Sequence, residues 1–417
     1  MRRRFAPVAI AASTLLALGS TALTATAAPS SGSDLDQSAA VGNYIVVLTD
    51  DADSRSIASA HDARAGIDVG HVYTSALQGY SAKMAPAVAD LLENDPAVKW
   101  VQQDTAVKTT AQTTPTGVNR SDADVSPTAK INGVDERVNV DVAVIDTGVD
   151  LTHPEINVYT PGAKNCSIGA INANDLNGHG THVSGTIGAI DNGNGVVGMA
   201  PGARIWPVKV LTDAGSGLNS DVICGIDYVT AHANEIEVAN MSLGGGGADD
   251  GNCGNTNNDA MHKAICRSVA AGITYAVAAG NDSEDAANST PAAYDEVITV
   301  SALADFNGTP GGGAPSTCRA DVDDTFASFS NFGADVDIIA PGVCINSTWM
   351  LGGYNTISGT SMAAPHVAGG AALYKANNPG ATPAQVKAAL RSAGTTNWSN
   401  ADDPDGVKEP LLNVSTF

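Results

Sequence analysis

The sequence predicts an α/β protein in two parts: a large domain with a mostly parallel sheet covered by helices on both faces, preceded by a small α+β unit. Three observations carry this. Between residues 140 and 393, short apolar runs of strand type alternate with longer runs of helical type, the pattern in which crossover helices cover a parallel sheet. Between residues 44 and 101 the order is β-α-β-β-α-β, which suggests a ferredoxin-like module. The 417 residues, 43% of them hydrophobic, can bury a large core, and about 300 remain once the amino-terminal part is set aside.

Taken in order, residues 1–28 read as a secretory signal. Arg2, Arg3 and Arg4 precede an apolar stretch from Ala6 to Leu18, and Ala25-Thr26-Ala27-Ala28 offers a small-residue cleavage region. That apolar run is too short to span a bilayer comfortably, so cleavage is expected rather than a stable membrane anchor. Residues 29–110 form the next part, with a structured core at 44–107. Strands are expected at 44–48 and 98–101, a strand pair at 71–83, and helices at 54–65 and 86–94. Residues 108–115 are polar and threonine-rich, the kind of exposed segment that proteases nick, so processing is expected between Lys108 and Gln112. The large domain, 111–417, follows. Its strands are expected at 140–145, 205–211, 238–242, 273–278, 297–301 and 336–339, and its helices at 181–189, 220–234, 259–271, 361–377 and 382–393.

Composition narrows the function. A net charge of −23 leaves no basic surplus for phosphate backbones, which argues against a nucleic-acid partner. Six cysteines, at 166, 224, 253, 266, 318 and 344, all fall in the large domain. An even set in an exported chain points to disulfides; six allow 15 pairings, and near-neighbour pairing would join Cys166 with Cys224, Cys253 with Cys266 and Cys318 with Cys344.

The chemistry is concentrated in four stretches of small residues. In Gly359-Thr360-Ser361-Met362-Ala363-Ala364-Pro365-His366 a serine opens an apolar helix. A serine there is ordinarily a cap. Here the neighbouring glycine permits close approach, and the free N–H groups of a helix start suit a developing oxyanion. A nucleophilic serine needs a base and a group to orient the base. Asp146 ends the apolar run 142–145, at the carboxyl end of a strand, where ligand sites of open parallel sheets form. His179 lies in Asn177-Gly178-His179-Gly180-Thr181-His182, again leading into a helix. Asn281 follows the strand ending at Ala278-Ala279-Gly280 and could donate its amide to an oxyanion. His182 lacks the glutamate of a zinc-binding HExxH helix and is expected to pack, as is His366. The run 193–198 matches a dinucleotide fingerprint by letter, but it follows a helix rather than a strand and is set aside.

The motifs VIDTGVD, NGHGTHVSGTIG, AVAAGND and GTSMAAPHVAGG, in that order, resemble those of the subtilisin family of serine peptidases, over nearly the whole chain. The resemblance implies a subtilisin-like catalytic domain in which Asp146, His179 and Ser361 are catalytic and Asn281 completes an oxyanion hole. It implies that Ser242, Leu243 and Gly244 pair with an extended peptide substrate, and that Ala278 and Gly280 wall a roomy, apolar-leaning pocket with Ser289 at its base. It likens 29–110 to the family's pro-segments, which act as folding aids and intramolecular inhibitors. Structural calcium is implied at the loop 190–196, with Gln112, Glu155 and Asn192 as oxygen ligands; Glu155 stands where aspartate is common in the family. The expected protein is thus a secreted, monomeric serine endopeptidase made as a self-processing zymogen, acting on protein and peptide substrates without a cofactor for the chemistry. The competing reading is a catalytically silent binding or inhibitor protein on the same fold.

Overall fold

The structure, a computed structural model, describes residues 41–104 and 111–417. The expected signal at 1–28, residues 29–40 and most of the expected processing region lie outside the described residues. The chain divides into two compact units, Met1–Lys108 and Thr109–Phe417.

The first unit has the expected element order: β1 (Gly42–Leu48), α1 (Ser54–Asp62), β2 (Ile67–Tyr73), β3 (Gly79–Met84), α2 (Pro86–Leu92) and β4 (Val98–Gln103). Its sheet runs β2-β3-β1-β4, with antiparallel pairing throughout. Asp53 starts α1 by accepting from the N–H groups of Arg55 and Ser56, and Pro86 starts α2. Val46, Leu48, Tyr80, Met84 and Leu92 close the small core between sheet and helices.

The second unit opens with α3 (Thr116–Arg120) and β5 (Asp141–Asp146), followed by β6 (Lys164–Asn165), α4 (His179–Gly188), β7 (Arg204–Lys209), α5 (Asn219–Ala231), β8 (Val238–Met241) and β9 (Gly245–Gly246). It continues with α6 (Ala260–Ala270), β10 (Thr274–Ala278), β11 (Ser289–Thr290), β12 (Ile298–Ala304), β13 (Thr325–Phe326) and β14 (Ile338–Pro341). A hairpin, β15 (Ile345–Trp349) and β16 (Gly353–Ile357), precedes α7 (Thr360–Asn377) and α8 (Pro383–Ala393). The main sheet is ordered β13-β12-β10-β8-β5-β7-β6, with β14 also paired to β12. All its pairings are parallel except β12 with β13.

Strand β5 shows why a continuous apolar run was needed. Val142 and Val144 face the core built with Val183 and Ile187 of α4 and Val367 and Ala371 of α7. Ala143 and Ile145 point the opposite way, against Ile226 of α5 and Ile265 of α6. Alternate residues of a strand serve opposite faces, so a strand buried on both faces cannot alternate with polar residues. The hairpin β15–β16 and the two-residue strands escaped the sequence reading, because such strands are defined by their partners more than by their own residues. All three disulfides join near neighbours as expected: Cys166–Cys224, Cys253–Cys266 and Cys318–Cys344.

Candidate active site

Parallel strands β5 and β10 end on the same side of the sheet, where Asp146 closes β5 and Asn281 follows β10 by three residues; His179 enters from α4. Asp146 is the last residue of β5 and fully buried. Its Oδ1 accepts from the Thr147 N–H at 2.6 Å and lies 2.8 Å from Nδ1 of His179, the first residue of α4. Burial works to lower the His179 pKa, but the Asp146 charge and hydrogen bond, helped by the more distant Asp175, outweigh it and hold the imidazole above its usual value.

The entry of α4 is fixed by Asp175, which the sequence reading missed. Its Oδ1 accepts from the Thr147 hydroxyl and the N–H groups of Asn177 and Gly178, each at 2.9 Å. Its Oδ2 accepts from the N–H and hydroxyl of Thr181, at 2.9 and 2.6 Å. Thr147 in turn accepts from the Gly180 N–H at 2.9 Å, so one buried carboxylate locks the end of β5 to the start of α4. The spacing Asp-x-Asn-Gly-His was the available signal, a polar residue shortly before a helix start. Gly178 has φ 107°, and a Cβ there would meet the Trp349 ring at 2.2 Å, so both conformation and space require glycine.

Ser361 is the second residue of α7, where a backbone N–H has no partner in the helix ladder. Pro365 sits inside this helix and has no N–H to offer the Ser361 carbonyl one turn earlier. That carbonyl instead accepts from the Ser242 hydroxyl at 2.8 Å, which ties the serine to the expected substrate segment. The Ser361 hydroxyl donates to the Ser242 carbonyl at a long 3.3 Å, not to the imidazole, while Ser361 and His179 line one cleft. Catalytic hydrogen bonds commonly tighten only when substrate is bound.

Asn281 is oriented from behind. Its Oδ1 accepts from the Thr360 N–H at 2.8 Å and the Thr360 hydroxyl at 2.9 Å, and that hydroxyl accepts from the Gly280 N–H at 3.2 Å. With the amide oxygen occupied, the NH2 is the group left to act. Thr360 thus fixes the orientation of the Asn281 side chain.

Residues 242–244 continue β8 past its last paired residue, Met241; all three line one cavity, and Leu243 and Gly244 also line a second. One, of about 510 Å³, includes His179, Ser361 and also Leu211, Gly215, Ser216, Gly217 and Met261, which the sequence reading missed. The other, of about 310 Å³, includes Ala278, Gly280, Asn281 and Ser289. Asp282 and Glu284 line it too, so the apolar-leaning expectation left out two exposed carboxylates.

The three expected calcium ligands meet at the loop 190–196. Glu155 is buried, its Oε2 has no partner, and the Asn192 side chain lies beside it; burial, only partly offset by Asn192, raises its pKa. The Gln112 amide donates to the carbonyls of Ile190 and Val196 at 2.8 and 3.1 Å. An orphaned carboxylate oxygen beside convergent carbonyls and amides is a hard-oxygen set that fits calcium. A bound ion would compete with the Gln112 NH2 for those carbonyls.

The other two histidines of these motifs pack, as expected. His182 Nε2 meets the carbonyls of Ile345 and Asn355 at 2.9 and 3.2 Å, and burial pushes its pKa down to about 3. His366 Nδ1 meets the Met362 carbonyl at 2.8 Å, and burial pushes it down to about 4.

The comparisons with known proteins agree with this fold. Residues 137–407 match the subtilase family, and residues 43–110 match the peptidase inhibitor I9 family. Together they define the class: a serine endopeptidase carrying an inhibitor-type pro-segment. The chain belongs to the subtilase family. It is 38% identical over 345 residues to an extracellular serine proteinase of Thermus sp. (strain Rt41A), covering 80% of this chain and 74% of that one. It is 39% identical over 312 residues to subtilisin E of Bacillus subtilis (strain 168), covering 73% of this chain and 72% of that one. Among solved structures, a cold adapted subtilisin-like serine proteinase superposes with a TM-score of 0.54 at 35% identity, covering 72% of this chain and 97% of the other. Among the described residues, no helix is long and apolar enough to cross a membrane.

Proposed function

We propose that the chain is a secreted endopeptidase, made as a zymogen with a signal at 1–28, a pro-segment at 29–110 and a catalytic domain at 111–417. Ser361 is the nucleophile: its oxygen attacks a peptide carbonyl while His179 takes the hydroxyl proton. The imidazolium then gives that proton to the leaving amine, and water repeats the sequence to release the acyl group. Asp146 holds the proton of His179 on Nδ1 and stabilises the imidazolium. The Asn281 NH2 and the Ser361 N–H receive the oxyanion. The observation that carries this reading is the 2.8 Å contact of His179 with the buried Asp146, on a cleft that also presents Ser361.

Ser242, Leu243 and Gly244 offer the substrate a strand edge, which recognises backbone and so favours broad specificity. The pocket walled by Ala278 and Gly280 accepts large apolar side chains, and Asp282 and Glu284 give a basic side chain a counter-charge. Calcium, held by Gln112, Glu155, Asn192 and loop carbonyls, supplies cross-linking charge that stabilises the fold and takes no part in acyl transfer. The enzyme works as a monomer, with its own pro-segment as inhibitor.

The test is labelling by a fluorophosphonate probe together with casein turnover. Wild type should be labelled on Ser361 and digest casein, and Ser361→Ala should do neither. A properly folded wild type that resists the probe would return the chain to a silent scaffold. Labelling with turnover of short esters alone would make it an esterase.

A further inference from the structure

A second chemical cluster lies beyond the substrate edge, where the chain runs from β9 through residues 247–259 into α6. His262, in the first turn of α6, is 1% exposed. Its Nε2 lies 2.9 Å from Glu296 Oε2, so the ring proton on that side is donated to a carboxylate. Its Nδ1 is buried without a hydrogen-bond partner and faces Asp249 Oδ1 at 3.5 Å and Asp250 Oδ1 at 3.4 Å.

Those carboxylates cannot turn away. Asp249 Oδ1 accepts from the Gly251 N–H at 2.7 Å and Oδ2 from the Asp295 N–H at 3.3 Å. Asp250 accepts from four backbone N–H groups, those of Asn252 and Gly254 on Oδ1 and those of Thr256 and Asn257 on Oδ2. The ring is equally fixed. It stacks on Tyr294 with centroids 4.0 Å apart and planes within 2°, and the Tyr294 hydroxyl donates to Asp259, the residue that caps α6. The nearby Cys253 and Cys266 are joined to each other, which removes their sulfurs as ligands.

A buried imidazole nitrogen without a hydrogen-bond partner, 3.4 and 3.5 Å from two fixed anions, leaves a place for a cation between them. A proton on Nδ1 would make charge-assisted hydrogen bonds, which run at about 2.7–2.9 Å; 3.4 and 3.5 Å are too long. Those separations match the spacing of neighbouring ligands around a tetrahedral zinc, roughly 3.3–3.4 Å for metal–ligand bonds of about 2.0–2.1 Å. The Glu296 contact is the outer carboxylate that commonly orients a metal-bound histidine. We propose that His262 Nδ1, Asp249 Oδ1 and Asp250 Oδ1 bind a divalent cation of the zinc class, with water completing the shell. The site clips the loop after the substrate edge onto α6, separately from the calcium ligands at Gln112, Glu155 and Asn192.

The experiment uses mature enzyme, inactivated to prevent autolysis and kept in millimolar calcium so that oxygen sites stay filled. Zinc chloride alone is titrated against a competing chromophoric chelator, with bound zinc counted after dialysis and thermal unfolding followed in parallel. Wild type is expected to hold one zinc per chain and to unfold at higher temperature when loaded. His262→Gln and Asp249→Asn should each weaken zinc by at least about tenfold. The asparagine oxygen can still accept from Gly251, so the second variant tests the site should the first fail to fold. Absence of stoichiometric zinc in wild type would overturn the proposal, leaving a proton as the only cation. So would zinc bound equally by wild type and Asp249→Asn.

Discussion

Replacing Asp146 by Asn tests the electrostatic core of the proposed mechanism. Asp146 is fully buried, and among the described residues its side chain hydrogen-bonds to the Thr147 N–H and His179, both on Oδ1. Asparagine fills nearly the same volume, so the change removes charge rather than packing. The protonated imidazole loses its buried counter-charge at the moment Ser361 attacks. In other enzymes with this triad the equivalent change costs about 10⁴-fold in kcat, which is about 5.4 kcal/mol at about 1.36 kcal/mol per tenfold. A second readout has a definite sign. The carboxylate holds the His179 pKa above the ordinary imidazole value of about 6.5, so wild-type kcat/KM should fall on acidification with a midpoint above that value. In Asp146→Asn the midpoint of the residual activity should move lower. The same shift makes His179 a source of stability that is fully present below its unfolded pKa and lost as pH rises through the folded one. The assay is a pH series of kcat/KM on a chromogenic peptide, with circular dichroism as a check on folding. A folded variant that loses less than about tenfold, or whose acid limb stays in place, would refute the role given to Asp146.

Other outcomes follow from the same geometry. Asn281→Ala should lower kcat by about 10²–10³, the range seen when subtilisin loses an oxyanion donor, with little change in KM; Thr360→Val should reproduce part of that loss by freeing the Asn281 amide. Chelation of calcium should lower the unfolding temperature, with about 2.7 kcal/mol lost per site that had been held at a hundred times its dissociation constant. Glu155→Gln should blunt that response, and an unmoved melting temperature on chelation would remove the calcium site. Opening Cys166–Cys224, which closes the longest disulfide loop at a sequence separation of 58, should cost about 4 kcal/mol by loop entropy. Opening Cys253–Cys266, with a separation of 13, should cost about 3 kcal/mol. Denaturant unfolding of the inactivated enzyme would show whether that order holds.

Much of the scaffold was legible because its signals are local. The run 142–145 has to be a strand buried on both faces, and β5 starts and ends within a residue of the expectation. Helix α7 begins at Thr360 rather than Ser361 and ends at Asn377 as expected. The first unit shows the β-α-β-β-α-β order read from its periodicity. What escaped was decided by partners. Strands β9 and β11 are two residues each and exist because Gly245 and Gly246 meet Thr290 and Ser289. The residues 215–217 carry no chemistry in their own letters, and their place on the cleft depends on the loop after β7 folding back.

The sequence by itself determined the alternation of elements, the four small-residue motifs and the order of Asp146, His179, Asn281 and Ser361, because hydrophobic period and helix starts are properties of neighbours along the chain. Tertiary structure alone decided how these groups are aimed. Asp175 locks His179 to β5, Thr360 occupies the Asn281 oxygen, and the Ser242 hydroxyl takes the carbonyl that Pro365 leaves free. These donors are buried or partly buried, and apart from the Thr181 N–H they find acceptors 28 to 119 residues away, pairings that are fixed only when packing excludes water.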